Sequence, residues 1–316
     1  MTVTITKKVY FTILATSVRF ANQKIPFDDW LEIYGVFTGK NKGDDVIISN
    51  AYPITHQKKN PEDIIDKVYW SEEDYLSFAL IDDEAFNQGE FTVGWFHSHP
   101  GMKVMMTSLD IQTTSTYQQY NPLTVSLVFN PVRLTRQIEL PNKKGDPDIQ
   151  LENDPGFKIF RLDDVSKGLH SSYHEVDYKI EGFDSMEQMM LQAQKFVIDV
   201  TNFLPQDNLI DKYENYVNDR ISHLNSLLVG TEEYLKTLIR QGETSRVPEV
   251  LESQTKEIKQ YVAETYLKIG NIKEFMDYLE YKERDTIIPL VDETLSKWDE
   301  AISNLDENLA QLSSRF

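Results

Sequence analysis

Two stretches near the end of the chain keep an apolar residue every three or four positions. Ile258, Val262, Thr265, Ile269, Ile272, Met276 and Leu279 form one series. Ile288, Val291, Leu295, Trp298, Ile302, Leu305, Leu309 and Leu312 form the other. Alternating spacings of three and four lay one apolar seam along a helix, and that seam needs a partner helix. A strand cannot supply it, because strand side chains alternate with a period of two. The partner is left open: roughly four heptads suffice for pairing within the chain or between subunits.

The residues just upstream are helical too. "DSMEQMMLQAQKFVIDVTNFL" begins at Asp184 with Glu187 three positions on, the spacing of a capping box. Pro205 ends that helix, and "DNLIDKYENYVNDRISHLNSLL" starts another. Residues 183–316 therefore read as an all-helical region.

Residues 1–182 have a different grammar. "KKVYFTILATSVRF" has two lysines and an apolar run that is short and broken by Tyr10, Thr12 and Thr16. It reads as a first strand running into a first helix, not a signal peptide. "LEIYGVFTG" and "DDVIISNAYPI" flank the turn "KNKG", so 31–54 is a hairpin. Ser71 with acids behind it opens a capped amphipathic helix over 71–88. A strand over 91–99 stops at Pro100 and Gly101, a helix covers 108–120, and a buried strand covers 123–131. The segment 137–156 is polar and rich in Pro and Gly, a long loop. "FKIFRL" and "YHEVDYKI" alternate as strands. Strands and helices are mixed without a βαβ repeat, which implies an α+β domain: a mixed sheet flanked by helices.

Composition narrows the function. A net charge of −19 lacks the basic face that phosphate neutralisation needs, which excludes nucleic acid as the expected partner. No apolar run is long enough to span a membrane. With no cysteine at all, disulfides, thiolate zinc sites and thiol nucleophiles are excluded, and an intracellular, cytoplasmic protein is expected. Any metal must be held by His, Asp or Glu.

"GWFHSHPGMKVMMTSLDIQTT" meets that requirement. His97 and His99 lie two apart on a strand, so both rings leave one face and can reach one ion. Asp110 can return as a third ligand from the start of the next helix. Two histidines and a carboxylate leave a fourth position open, the layout of one catalytic Zn2+ rather than a structural one. A competing reading stands beside it. Histidines often satisfy polar needs in a core, and Thr107 with Asp110 has the spacing of a helix cap. Spacing alone leaves the two readings balanced.

The run resembles the signature of the JAMM/MPN metalloprotease family, the zinc isopeptidases that remove ubiquitin-like modifiers. In that family a His-x-His is followed, after ten residues, by Asp; His97, His99 and Asp110 match, with the Ser-His-Pro-Gly around the second histidine. The family places a glutamate in a strand upstream; "LEIYGVFTG" offers Glu32, one acid inside an apolar strand. "VYFTILATSV", "SLVFNP" and "FKIFRL" are similar to further elements of the same fold, a cytidine-deaminase-like mixed sheet. The resemblance covers residues 1 to about 180 and is nearest to the proteasome-lid deubiquitinase and the signalosome isopeptidase. It implies an MPN/JAMM domain over 1–182, Glu32 as catalytic base and Zn2+ on His97, His99 and Asp110. It also implies ubiquitin or a ubiquitin-like protein as substrate, its tail added to an exposed strand edge. A second MPN-domain subunit or a homodimer partner is implied, with assembly through the C-terminal helices. The family usually has serine where Thr107 stands, its hydroxyl helping to hold the oxyanion, so Thr107 is expected in that role. It usually has tryptophan where Met105 stands. The alternative is an MPN scaffold subunit with weak or no activity; such subunits usually lose ligands, and this chain keeps them.

Overall fold

A computed structural model describes residues 1–58, 68, 70–134, 154–203, 209–274 and 278–315. The loop expected over 137–156 and the break at Pro205 lie largely or wholly outside these residues. The chain forms two compact units, Met1–Gln206 with Asp277–Arg284, and Asp207–Met276 with Asp285–Phe316.

The first unit is built on an eight-stranded mixed sheet. Its strands are β1 (Val3–Thr6), β2 (Ile33–Lys42), β3 (Asp45–His56), β4 (Phe91–Ser98), β5 (Val125–Phe129), β6 (Phe157–Leu162), β7 (Tyr173–Glu175) and β8 (Tyr178–Glu181). They lie in the order β7-β6-β5-β4-β2-β3-β1-β8. The hairpin β2–β3 forms as expected, but β2 runs past Gly39 to Lys42, and the turn falls at Gly43, whose φ of 63° suits glycine.

The first helix takes all of "KKVYFTILATSVRF": α1 spans Lys7–Phe20, and the first strand lies just upstream. Thr6 explains the boundary, since its hydroxyl accepts from the Val9 N–H as an N-cap. Helix α2 (Glu72–Asn87) starts at Ser71 with a full capping box to Asp74. Helix α3 (Ser108–Tyr120) follows β4, and a short turn of helix, α4 (Pro131–Leu134), follows β5. Helix α5 (Met186–Phe203) is capped by the Ser185 hydroxyl, which accepts from the Gln188 N–H, rather than by Asp184. Although sequence groups it with the helical region, α5 belongs to the first unit, where Phe196 packs on Phe11 of α1.

β4 is the central strand. Trp95 and His97 leave one face, where Trp95 joins Tyr34, Val36, Ile54 and Ile81 of α2 in one cluster. Phe96 leaves the other and stacks on Phe37. Aromatic rings and aliphatic side chains thus fill both faces of the strand that carries the histidines, and its burial fixes register: a one-residue slip would exchange the faces.

In the second unit, α6 (Leu209–Arg240) turns at Gly242 into α7 (Val247–Glu274). Most of α8 (Tyr281–Arg315) completes it. Helix α6 carries its own stripe of buried residues, Tyr213, Val217, Leu224, Leu228, Thr231, Leu235 and Leu238. Lys297 pairs with Glu214, and Arg315 with Glu232, so α8 runs parallel to α6 in constant register. The seam of α8 is therefore met inside the chain. Ile287, Val291, Thr294, Trp298, Leu305, Leu309 and Leu312 are its buried residues, while Ile288 faces solvent. A straight helix of 3.6 residues per turn drifts against a repeat of 3.5, which lets neighbours exchange places at the seam's edge. Leu279 lies past the end of α7 and is buried in the first unit.

Candidate metal centre and cleft

His97 lies near the end of β4, His99 just beyond it, and Asp110 in the first turn of α3; all three are buried. Their ligand atoms lie within 4.8 Å of one another. His97 Nε2 is 3.1 Å from His99 Nε2 and 3.2 Å from Asp110 Oδ1; His99 Nε2 is 3.6 Å from Asp110 Oδ2. Two imidazole nitrogens facing each other can share only one proton, whereas a cation between them and the carboxylate satisfies all three. Burial alone would raise the Asp110 pKa; His97, then His99 and the Thr107 N–H, outweigh it and hold the carboxyl well below its usual range. The donor set of two neutral nitrogens and one carboxylate suits zinc.

The rings are set from behind. His99 Nδ1 meets the Lys103 carbonyl at 3.1 Å, which fixes the tautomer that leaves Nε2 free to ligate. His97 lies flat on Trp95, centroids 4.5 Å apart, and Trp95 Nε1 donates to Thr114 Oγ1 on α3. His97 Nδ1 is buried and has no hydrogen-bond partner among the described residues, so the ring is held by stacking.

Glu32 sits directly before β2. The register sets Tyr34 opposite His97, and strand alternation gives Glu32 the face of Tyr34. Its backbone is pinned to Gln57: the Gln57 N–H donates to its carbonyl at 2.7 Å. Glu32, Tyr34, Trp95, His97 and Asp110 line one cleft of about 1030 Å³. The outer walls are aromatic, with Trp70, Tyr75 and Phe78 on the α2 side and Tyr117 and Tyr120 on α3. The Tyr34 and Tyr117 hydroxyls bond each other at 3.1 Å. Burial pushes both phenols up, Tyr117 to about 12, so each stays a neutral hydrogen-bonding group.

Thr107 takes the helix-cap position that its spacing to Asp110 allowed. It is the N-cap of α3, and its hydroxyl donates to Asp110 Oδ2 at 2.8 Å while accepting from the Asp110 N–H. The Thr107 N–H donates to the same oxygen at 2.6 Å. Both polar ties of the side chain thus run to the third ligand. The capping geometry and the ligand geometry, which spacing set against each other, coincide in one carboxylate. Met105 is exposed, and Met106 packs inward with Val104, Val128 and Phe160.

Sequence reasoning missed two supporting residues. Ser98, between the histidines, turns to the opposite face and accepts from the Ile33 N–H at 3.0 Å, tying the histidine strand to the residue after Glu32. Asn130 is fully buried and stitches the loop beyond His99. Its Oδ1 accepts from Gly101 and Val132, and its Nδ2 donates to the Met102 carbonyl at 2.7 Å. Gly101 has φ of 65°, and a Cβ there would lie 2.7 Å from the Phe27 ring. The polar Asn in an apolar strand end was the available signal for Asn130. Among the described residues His170 and His174 join no metal cluster, and His174, on β7, pairs with Asp163 at 2.6 Å. A free strand edge beside the site is also absent among the described residues. β4 and β2 are paired on both sides, and the sheet ends at β7 and β8.

Residues 1–123 match the family model described as JAB1/Mov34/MPN/PAD-1 ubiquitin protease. The matched part of the chain contains Glu32, His97, His99 and Asp110. COP9 signalosome complex subunit 5 of Neurospora crassa is 33% identical over 111 residues, 34% of this chain and 31% of that protein. The 26S proteasome non-ATPase regulatory subunit 14 of Dictyostelium discoideum is 22% identical over 168 residues, 51% of this chain and 52% of that one. COP9 signalosome complex subunit 5 of Debaryomyces hansenii is 26% identical over 189 residues, 55% and 38% of the two chains. The chain thus spans about a third to a half of the length of these relatives. They are subunits of multiprotein complexes, and no helix among the described residues is long and apolar enough to cross a membrane.

Proposed function

We propose that the chain is a zinc-dependent isopeptidase that removes ubiquitin or a ubiquitin-like modifier from lysine side chains. It would work inside the cell, as a subunit of an assembly like the proteasome lid. The observation that carries this is one cleft in which His97 and Asp110 of a three-ligand cluster share the lining with Glu32. An MPN scaffold without activity has no need of that glutamate.

His97, His99 and Asp110 would hold the ion, and zinc there would supply Lewis-acid polarisation of the scissile carbonyl and of the attacking water. Glu32 takes the water's proton as its oxygen bonds to the carbonyl carbon. It returns that proton to the lysine nitrogen as the C–N bond breaks. Thr107 acts by holding the Asp110 carboxylate. The modifier's extended tail lies in the aromatic cleft between α2 and α3, because among the described residues no strand edge is open beside β4. A second MPN domain and contacts through the C-terminal helices would complete the assembly.

The test is zinc content together with cleavage of ubiquitin-like fusions, with and without an MPN-domain partner. One zinc per chain is expected. Glu32→Gln should keep the metal and lose cleavage by roughly 10²–10⁴-fold. A chain that takes up no zinc, or a Glu32→Gln variant as active as the parent, would return the protein to the scaffold class.

A further inference from the structure

The segment that leads into α8 and forms its first turn is polar, "YLEYKER" over 278–284, yet it packs as part of the first unit. Leu279 is fully buried, and the Tyr278 carbonyl accepts from Thr16 Oγ1. Glu280, Lys282 and Glu283, which follow, each meet a group of opposite charge or a histidine. Glu283 takes a two-pronged bond from Arg19 of α1, at 2.7 and 2.9 Å. Glu280 meets His56 Nδ1 at the end of β3 at 2.5 Å, with its own side chain almost wholly buried. Lys282 reaches Asp74 Oδ1 at 2.5 Å and Glu280 Oε2 at 3.4 Å. The Tyr281 hydroxyl donates to Glu84 Oε1 at 2.6 Å.

Two of these contacts grip α2. Asp74 is the fully buried acid of its capping box, where Oδ2 accepts from the Ser71 N–H. A buried carboxylate without a cation is costly, so Lys282 is what allows this cap to close over. Glu84 lies ten residues further, about 15 Å along the helix. Between the two grips stand Tyr75, Phe78 and Asp82, and Trp70 precedes the cap; all four line the cleft. The Tyr281 ring packs against the cluster that contains Trp95, and Trp95 carries His97 on its face. Tyr281 and the candidate metal ligand therefore touch the same cluster from two sides.

We propose that Tyr281 and Lys282 are positioning residues: they fix α2, and with it the Trp70, Tyr75 and Phe78 wall, as a preset surface for the substrate. Neither touches the reacting atoms. The kinetic part of this proposal rests on the isopeptidase reading; the structural part does not.

The test uses the full chain and the variants Lys282→Met, Lys282→Arg and Tyr281→Phe. Hydrogen exchange over residues 72–87 should quicken by roughly tenfold in Lys282→Met, less in Tyr281→Phe, and return in Lys282→Arg. On a ubiquitin fusion, KM should rise roughly five- to tenfold with kcat within about twofold and zinc content unchanged. A general loss of folding would instead lower the active fraction and kcat together. Should Lys282→Met not fold, Tyr281→Phe and Glu84→Ala, which remove the exposed hydrogen bond between these two side chains, carry the test. Unchanged exchange in α2 in the folded variants overturns the proposal, as does a loss confined to kcat. If the parent cleaves no fusion, the isopeptidase reading falls while exchange in α2 still decides the role of Lys282.

Discussion

Asn130→Ala should damage the metal centre without touching a ligand. Asn130 makes three buried hydrogen bonds, to the Gly101 and Val132 N–H groups and the Met102 carbonyl. Each is worth about 1 kcal/mol net, and each backbone group left buried without a partner adds to the loss, so about 3 kcal/mol is expected. For a unit of this size that lowers Tm by roughly 6–12 °C. The effect on zinc is separate. Met102 adjoins Lys103, whose carbonyl orients His99, and a support at this remove is worth roughly 10–100-fold in metal affinity. Thermal unfolding of the metal-free chain and competition with a zinc chelator read the two effects independently. Asn130→Asp should rescue neither, because it puts an oxygen where Nδ2 now donates to the Met102 carbonyl. If Asn130→Ala melts within about two degrees of the parent and binds zinc equally well, the loop is held by its apolar packing and the reasoning fails.

Two further outcomes follow from the same geometry. Thr107→Val should cost about 1 kcal/mol of stability through the lost α3 cap and should weaken zinc binding, with Thr107→Ser restoring both; unchanged stability with kcat down by about 100-fold would instead place the hydroxyl at the oxyanion. For Asp74, burial opposes ionisation, but Lys282 and the Ser71 N–H prevail, and the native pKa lies below its usual value. The stability this contributes is present above about pH 4 and is lost as pH falls through the depressed native pKa, so the gap between parent and Asp74→Asn should be flat from about pH 5 to 8 and close in acid. A gap that instead changes between pH 6 and 8, followed by chemical denaturation, would assign the effect to another group.

Much of the fold was legible because periodicity reports burial directly. The capped helix at Ser71, the β2–β3 hairpin and the helical character of the C-terminal region all follow from local patterns that tertiary packing did not override. The boundary errors were local too. The apolar run after Lys7 reads as strand or helix alike, and the Thr6 cap decided for helix. Near Asp184 two residues compete for one capping position, and Ser185 took it.

By itself, then, the sequence determined the candidate chemistry: no cysteine, a His-x-His on one strand face, an acid at the start of a helix, and an acid read as lying inside an apolar strand, which the structure places directly before it. Tertiary structure decided which of those groups meet. Only the register of β2 on β4 brings the face of Glu32 beside His97, and only the α3 cap commits the Thr107 hydroxyl to Asp110. The parallel pairing of α8 with α6 met the α8 seam within the chain. The segment after α7, which the pattern read as more seam, supplied the cations and acids that hold α1, β3 and α2. The reason is common to all four. Periodicity states which face a residue leaves, but a charge or a hydroxyl is satisfied by partners far along the chain, and only the fold brings those partners within hydrogen-bonding distance.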